Sequence, residues 1–262
     1  MLRPRLIPCL LIHNGGLVKT VRFGEPKYVG DPINAVRIYN EKEVDELVVL
    51  DIDATVNGVE PDYRMISHLA AECRMPLCYG GGVRTIDQFD RIISLGVEKV
   101  AISATAIENQ QLITDAARRI GSQSVVVVLD VKKTGLLRHY EVVTHNGMRR
   151  TGLNPVDFVR QLADAGAGEI VVNSVDFDGE LKGYDFQLID SIRKVVTLPL
   201  TVLGGAGSLE DIEALVKRYG IIGAAAGSIF VFKGKYRAVL INYPNRKEKV
   251  ALYQRAGFQL YS

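Results

Sequence analysis

Short runs of β-branched and aliphatic residues alternate along the chain with longer segments in which apolar positions recur every three or four residues. The runs are LIPCLLI, ELVVLDI, PLCYGG, KVAISA, SVVVVLD, EIVVNSV, PLTVLGG and IIGAAAG. Between them lie DPINAVRIYNEK, DYRMISHLAAEC, TIDQFDRIISLG, NQQLITDAARRIG, PVDFVRQLADAG, YDFQLIDSIRKV and SLEDIEALVKRYG, several closed by a glycine suited to a helix C-terminus. Strands apolar on both faces, each followed by an amphipathic helix, predict a parallel sheet covered by helices. Eight such units without a linker or a shift in composition specify an α/β fold of one domain, a closed (β/α)8 TIM barrel over residues 1–262.

The pattern also repeats internally. MPLCYGGGVRTIDQF resembles LPLTVLGGAGSLEDI, and VVLDIDATVNG loosely resembles VVNSVDFDGEL, so the barrel reads as two similar half-barrels, roughly 1–120 and 121–262. Leu11 and Asp130 are then equivalent, each ending the first strand of its half. Two connections exceed ordinary length: HNGGLVKTVRFGEPKYVG after strand 1, and KKTGLLRHYEVVTHNGMRRTG after strand 5, the latter predicted as a hairpin turning at Asn146-Gly147. Both belong to the C-terminal side of the barrel, where loops carry function.

Composition narrows the classes. With 262 residues, 47% hydrophobic and 24% charged, the chain has enough apolar material for a large core. A formal net charge of +2 with mixed signs excludes a nucleic-acid partner, and the basic stretch NRKEKV reads as a solvated helix face. Pro4, Arg5, Pro8 and His13 interrupt the N-terminal apolar run, and no run reaches the roughly 18 residues of a membrane span. A cytoplasmic protein without a membrane partner is expected. Cys9, Cys73 and Cys78 have neither metal spacing nor an even framework, and His13, His68, His139 and His145 form no ligand pattern; no metal or cofactor is expected.

Candidate chemistry gathers at the strand ends. Gly80-Gly81-Gly82 and Gly204-Gly205-Ala206-Gly207 each run into a helix, with Ser103 and Gly227-Ser228 ending the next strand. Backbone N–H groups freed by glycine can hold anions, so the pair predicts a ligand with a phosphate at both ends; tight βα turns also call for glycine. Carboxylates follow the strands at Asp51, Asp53, Asp130, Asp176 and Asp178, of which Asp130, at the tip of a continuous apolar strand, is placed for acid–base work. At the opposite strand ends stand Arg5, Glu46, Lys99 and Glu169, charges that can close the barrel floor as a ring of ion pairs.

Across nearly the whole chain the sequence resembles the cyclase subunit of imidazole glycerol phosphate synthase, in RLIPCL, GDP, DELVVLDI, GGGVRT, EKVAISATAIEN, GSQSVVVVLDVK, TG, AGAGEI, SVDFDG, GYD and LPLTVLGGAG. The resemblance implies a (β/α)8 barrel that receives ammonia from a partner glutamine amidotransferase docked at its N-terminal face. The ammonia then reacts at the C-terminal face with a substrate bearing two phosphates, and no cofactor takes part. It implies an ammonia gate of Arg5, Glu46, Lys99 and Glu169, a docking carboxylate at Glu98, and phosphate sites at Gly81, Gly82, Ser103, Gly179, Gly204, Gly205, Gly207 and Ser228. It also implies a catalytic Asp130, a substrate-closing Lys19, and Asp176 and Asp178 in the strand-6 motif.

The departure is at strand 1, where the family's second catalytic carboxylate is Leu11, an aliphatic side chain that moves no protons. His13, two residues on and on the same side by alternation, is the candidate substitute. The pattern resembles a divergent branch of the family, tied to surface-polysaccharide gene clusters, in which a barrel and an amidotransferase convert an acetamido group of a sugar nucleotide to an acetamidino group. A true histidine-pathway cyclase making imidazole glycerol phosphate and AICAR is the alternative, and a non-catalytic activator of a glutaminase the second.

Overall fold

The computed structural model describes residues 3–258. Eight parallel strands, β1 Arg5–His13, β2 Leu47–Asp51, β3 Leu77–Gly80, β4 Lys99–Ile102, β5 Val125–Thr134, β6 Glu169–Ser174, β7 Leu200–Leu203 and β8 Gly223–Ala226, pair in sequence order, and β8 returns to β1. The sheet is a closed barrel, as the alternation predicts. Outside it run α1 Pro32–Glu41, α2 Tyr63–Glu72, α3 Ile86–Ser94, α4 Gln111–Ile120, α5 Pro155–Ala165, α6 Phe186–Arg193, α7 Leu209–Tyr219 and α8 Arg246–Arg255. None of these helices is long and apolar enough to cross a membrane.

The double apolar face of each strand has a direct outlet. One set of side chains, among them Ile7, Cys9, Val48, Cys78, Ala101, Val126, Val171 and Ala225, fills the barrel interior. The alternate set, such as Leu6, Leu10, Val49 and Tyr79, packs outward under the helices with Phe89 and Phe158. Truncating either phenylalanine to alanine is expected to cost about 3–5 kcal/mol, because no solvent reaches the cavity it would leave.

The two halves use the same device where a glycine cluster enters a helix. Thr85 caps α3 and Ser208 caps α7, each in a capping box closed by the side chain three residues on, Gln88 and Asp211. These boxes fix the loops that carry Gly81 and Gly205.

The long connections are more regular than the sequence reading proposed. Asn14 and Gly15 have φ of 50° and 74°, so a two-residue turn sends Gly16–Lys19 back antiparallel to β1, and Lys27–Gly30 adds a further strand. After β5 the chain forms two successive hairpins. β5 pairs with His139–Thr144 across a turn at 135–138, and that strand pairs with Arg149–Arg150 across a turn containing Asn146-Gly147. A small hairpin, Phe232–Lys233 with Ala238–Val239, follows β8. NRKEKV opens α8, which is held to the floor side by Asp45, the acceptor for Lys249 and Tyr253.

Candidate functional site

One cavity of about 480 Å³ opens at the C-terminal ends of the strands. It brings together Leu11, His13, Lys19, Gly81, Gly82, Ser103, Asp130 and Asp178 from the sequence-predicted set. The roof is built by the long connections: Asn146 Nδ2 donates to the carbonyl of Ile52 at 3.0 Å, and Gly147 lies against Phe23.

Strand register determines the chemistry of the walls. Asp130 on β5 is the partner of Asn173 on β6, whose Nδ2 donates to Asp130 Oδ1 at 2.9 Å. Burial pushes the Asp130 carboxyl up to about 6; the Asn173 hydrogen bond opposes the rise and Asp178 adds to it. On the first-half side the corresponding pair is Leu11 beside Leu50, two aliphatic side chains packed against the interior apolar cluster. Leu203, next to Asn173 in the sheet, extends the apolar lining.

His13 lies on the same wall as Leu11. Its Nδ1 is 2.7 Å from Asp53 Oδ1, while Asp53 Oδ2 accepts the backbone N–H of Asn14 at 2.7 Å. Asp51 turns inward to its own loop, accepting the N–H groups of Asp53 and Ala54, and burial raises its carboxyl.

The two glycine clusters end differently. Gly81 (φ +128°) approaches the Asp51 carbonyl so closely that a Cβ would lie 2.5 Å from it, and Gly205 (φ +111°) would place one 2.0 Å from the Gly183 carbonyl. Loop packing alone therefore requires glycine at both. The first cluster, with Ser103, opens into the large cavity. The second borders a crevice of about 10 Å³, lined by Gly179, Gly204, Gly205, Gly227 and Ser228, with room for about one water. Lys19 lies across it: Nζ donates to Asp178 Oδ1 at 2.8 Å, and both residues are buried. Two residues predicted for this face of the barrel stand apart from the cavity and the crevice. Asp176 accepts the backbone N–H of Lys133, bracing the strand-5 connection, and Gly207 donates to Asp211 at the start of α7.

At the opposite end the four charges meet. Arg5 bonds Glu46 and, at 2.7 Å, Glu169; Lys99 Nζ lies 2.8 Å from each of the same two carboxylates. Burial alone would raise the Glu169 carboxyl, but Arg5 and Lys99 prevail and hold it below the usual carboxylate range. Thr201 completes the ring, donating to Glu169 Oε1 at 2.5 Å. Glu98, adjacent to Lys99, is exposed on this face.

Sequence reasoning missed Asn173, Asp53 as the partner of His13, and Thr201. Asn173 and Thr201 had a signal, since each is a polar residue inside an otherwise apolar strand (EIVVNSV, PLTVLGG). Asp53 had none beyond its place after β2. Among the described residues no group of three or more His, Cys, Asp or Glu is arranged to hold a metal ion. Burial pushes the Cys9 thiol up to about 12 and the Cys73 thiol up to about 11, so both are protonated, unreactive packing groups.

Comparison with known proteins gives the following matches. A model of a family described as histidine biosynthesis protein matches residues 5–237. A protein of Leptospira interrogans, provisionally named imidazole glycerol phosphate synthase subunit HisF, is 55% identical over 253 residues, covering 97% of this chain and 100% of that protein. A Vibrio vulnificus protein with the same provisional subunit name, hisF3, is 55% identical over 249 residues, covering 95% of this chain and 96% of its own. A Pseudomonas aeruginosa hisF2 is 51% identical over 245 residues, covering 94% and 97%.

Proposed function

The chain belongs to the histidine biosynthesis protein family, among the cyclase subunits of imidazole glycerol phosphate synthase, and from that premise we propose that it is an ammonia-using synthase subunit with an altered acceptor. Its relatives carry the name of a synthase subunit, and a glutamine amidotransferase docked over the floor, near Glu98, is the proposed source of ammonia. The ring of Arg5, Glu46, Lys99 and Glu169 serves as the gate, and the apolar barrel interior above it passes neutral ammonia while disfavouring ammonium.

The acceptor is an acetamido group on a sugar nucleotide, which becomes an acetamidino group of a surface polysaccharide precursor. One observation carries this reading: where a cyclase of the family has a carboxylate, Leu11 and Leu50 form an apolar wall across the register, while Asp130 is retained. An acetyl methyl suits that wall. Exchange of the amide oxygen for NH releases water and runs uphill in aqueous solution, so a nucleoside triphosphate is the co-reactant that activates the oxygen for departure. The open glycine cluster with Ser103 suits the diphosphate of the sugar nucleotide, and Gly204, Gly205 and Ser228 form a second phosphate cradle once Lys19 withdraws.

A second reading, the histidine-pathway cyclase, is favoured by the names of the relatives. The purified barrel, supplied with ammonium salt, separates the two. The expected result is no cyclisation of the standard bisphosphate substrate. A nucleotide-linked acetamido sugar with a nucleoside triphosphate should gain NH in place of oxygen by mass spectrometry. Turnover of the bisphosphate at an ordinary cyclase rate refutes the altered acceptor.

A further inference from the structure

Loss of the strand-1 carboxylate leaves the first-half wall without a proton acceptor unless another group supplies one. His13 and Leu11 alternate onto the same side of β1, and both line the cavity. The backbone holds His13 firmly: it is the last residue before the Asn14-Gly15 turn and pairs with Gly16. Asp53 ties this turn to the loop after β2, one oxygen on the Asn14 N–H and the other on the imidazole.

These contacts determine where the imidazole proton sits. A carboxylate only accepts, so Nδ1 carries the hydrogen directed at Asp53. On the other edge, Asn14 Nδ2 lies 3.0 Å from His13 Nε2, and an amide nitrogen only donates. Nε2 therefore carries the lone pair, which accepts from Asn14 in this structure and becomes a base when the exposed Asn14 side chain gives way to substrate. Its environment differs from that of Asp130. The His13 side chain is 34% exposed and Asp53 22%, so protons exchange readily with solvent at the mouth. The other charged or titratable groups of the cavity wall are Cys9, Asp51, His145, Asp130 and the Lys19–Asp178 pair.

We infer that His13 and Asp53 form a proton-transfer dyad on the first-half wall, with His13 Nε2 the general base of the reaction and Asp53 its positioning residue. The inference deepens the altered-acceptor reading and rests on it for the identity of the substrate. As the ammonia nitrogen bonds to the acceptor carbon, one N–H bond breaks and Nε2–H forms. The imidazolium is balanced by Asp53 at 2.7 Å, and the proton then passes to solvent. Asp130, on the other wall, is free to act in the opposite sense, as the acid when the C–O bond breaks and the acceptor oxygen leaves on the phosphoryl group transferred from the nucleoside triphosphate, as phosphate.

Two measurements test the dyad. Nitrogen-15 NMR of histidine-labelled full-length protein at pH 8 is expected to show His13 as the Nδ1–H tautomer, and Asp53→Asn to lose that preference. Turnover of the nucleotide-linked acetamido sugar, with a nucleoside triphosphate and ammonium chloride, is expected to fall by about 10²–10⁴ in kcat for His13→Gln, with partial rescue by added imidazole. For Asp53→Asn the fall is smaller, with a displaced pH profile and an unchanged KM. An Nε2–H tautomer in the wild-type protein overturns the dyad whatever the substrate is, and so does a His13→Gln variant of undiminished kcat. Absence of product from the wild-type protein with the Nδ1–H tautomer present strikes the acceptor reading; kcat of the His13 variant is then read on whichever acceptor the wild type turns over.

Discussion

At the end of β1 two leucines lie side by side, Leu11 with Leu50; at the equivalent place on β5 an aspartate lies beside an asparagine, Asp130 with Asn173. The backbone around the two pairs is alike, with a glycine cluster following the next strand but one and a capping box opening the helix after it. The side chains of the two pairs differ, and they divide the mouth into an apolar wall and a polar one. The glycine clusters differ in the same sense: the first opens to the cavity, and the second is covered by Lys19. One scaffold thus carries two unlike half-sites. A repeat in the backbone does not impose a repeat in the chemistry.

The strongest way to break the contrast is to remove its polar side. Asp130→Asn keeps the shape and the contact with Asn173 but ends proton transfer, and product formation should fall by about 10³-fold. Binding of the amidotransferase, measured by calorimetry, should be unchanged, since Asp130 lies at the end of the barrel remote from the floor ring. Equal loss of binding and turnover would show that Asp130 supports the fold rather than the reaction.

The floor provides a control, because there the halves cooperate. The first half supplies both cations and one acid, and the second half supplies Glu169. Glu169→Ala leaves Arg5 and Lys99 sharing Glu46, and the stability loss should be about 3 kcal/mol by urea denaturation. A loss below ~1 kcal/mol would mean that water already solvates the ring.

Leu11→Asp makes the first half resemble the second. A carboxylate beside Leu50 costs about 1–3 kcal/mol of stability through desolvation. If the strand-1 residue is the main divergence, the variant gains measurable cyclisation of the standard bisphosphate substrate. If the variant folds and remains inactive, the rest of the apolar lining, Leu50 and Leu203 included, also sets the acceptor.

The barrel itself was legible because strand and helix periods alternate without interruption, and the floor ring because charged residues stood at four strand starts. The Asn14-Gly15 turn carries the same dipeptide signal as Asn146-Gly147, yet from sequence the segment reads only as a long connection. Asp53 and Asn173 could not be recognised as partners from spacing. Their roles arise from cross-strand register and from a loop folding back on a turn, which bring together residues 40 and 43 positions apart. The covering of the second glycine cluster by Lys19 was equally hidden, because that ion pair spans 159 positions.

The smallest effect concerns pH, and it isolates the polar wall from any substrate. Asp130 titrates near 6 in the folded protein and near 3.9 in an unfolded chain. Between those values the folded state holds the extra proton, so this contribution to stability is complete below about pH 4 and is lost as pH rises through about 6. A two-unit displacement corresponds to at most ~3 kcal/mol, and solvent in the cavity reduces it to ~1–2 kcal/mol. Relative to Asp130→Asn, which has no proton to lose, the wild-type protein should therefore weaken by that amount between pH 4.5 and pH 7. Urea midpoints of both proteins at the two values check it, and parallel behaviour would mean that the Asp130 carboxylate is better solvated than the apolar side chains on its own face of β5, Val128 among them, suggest.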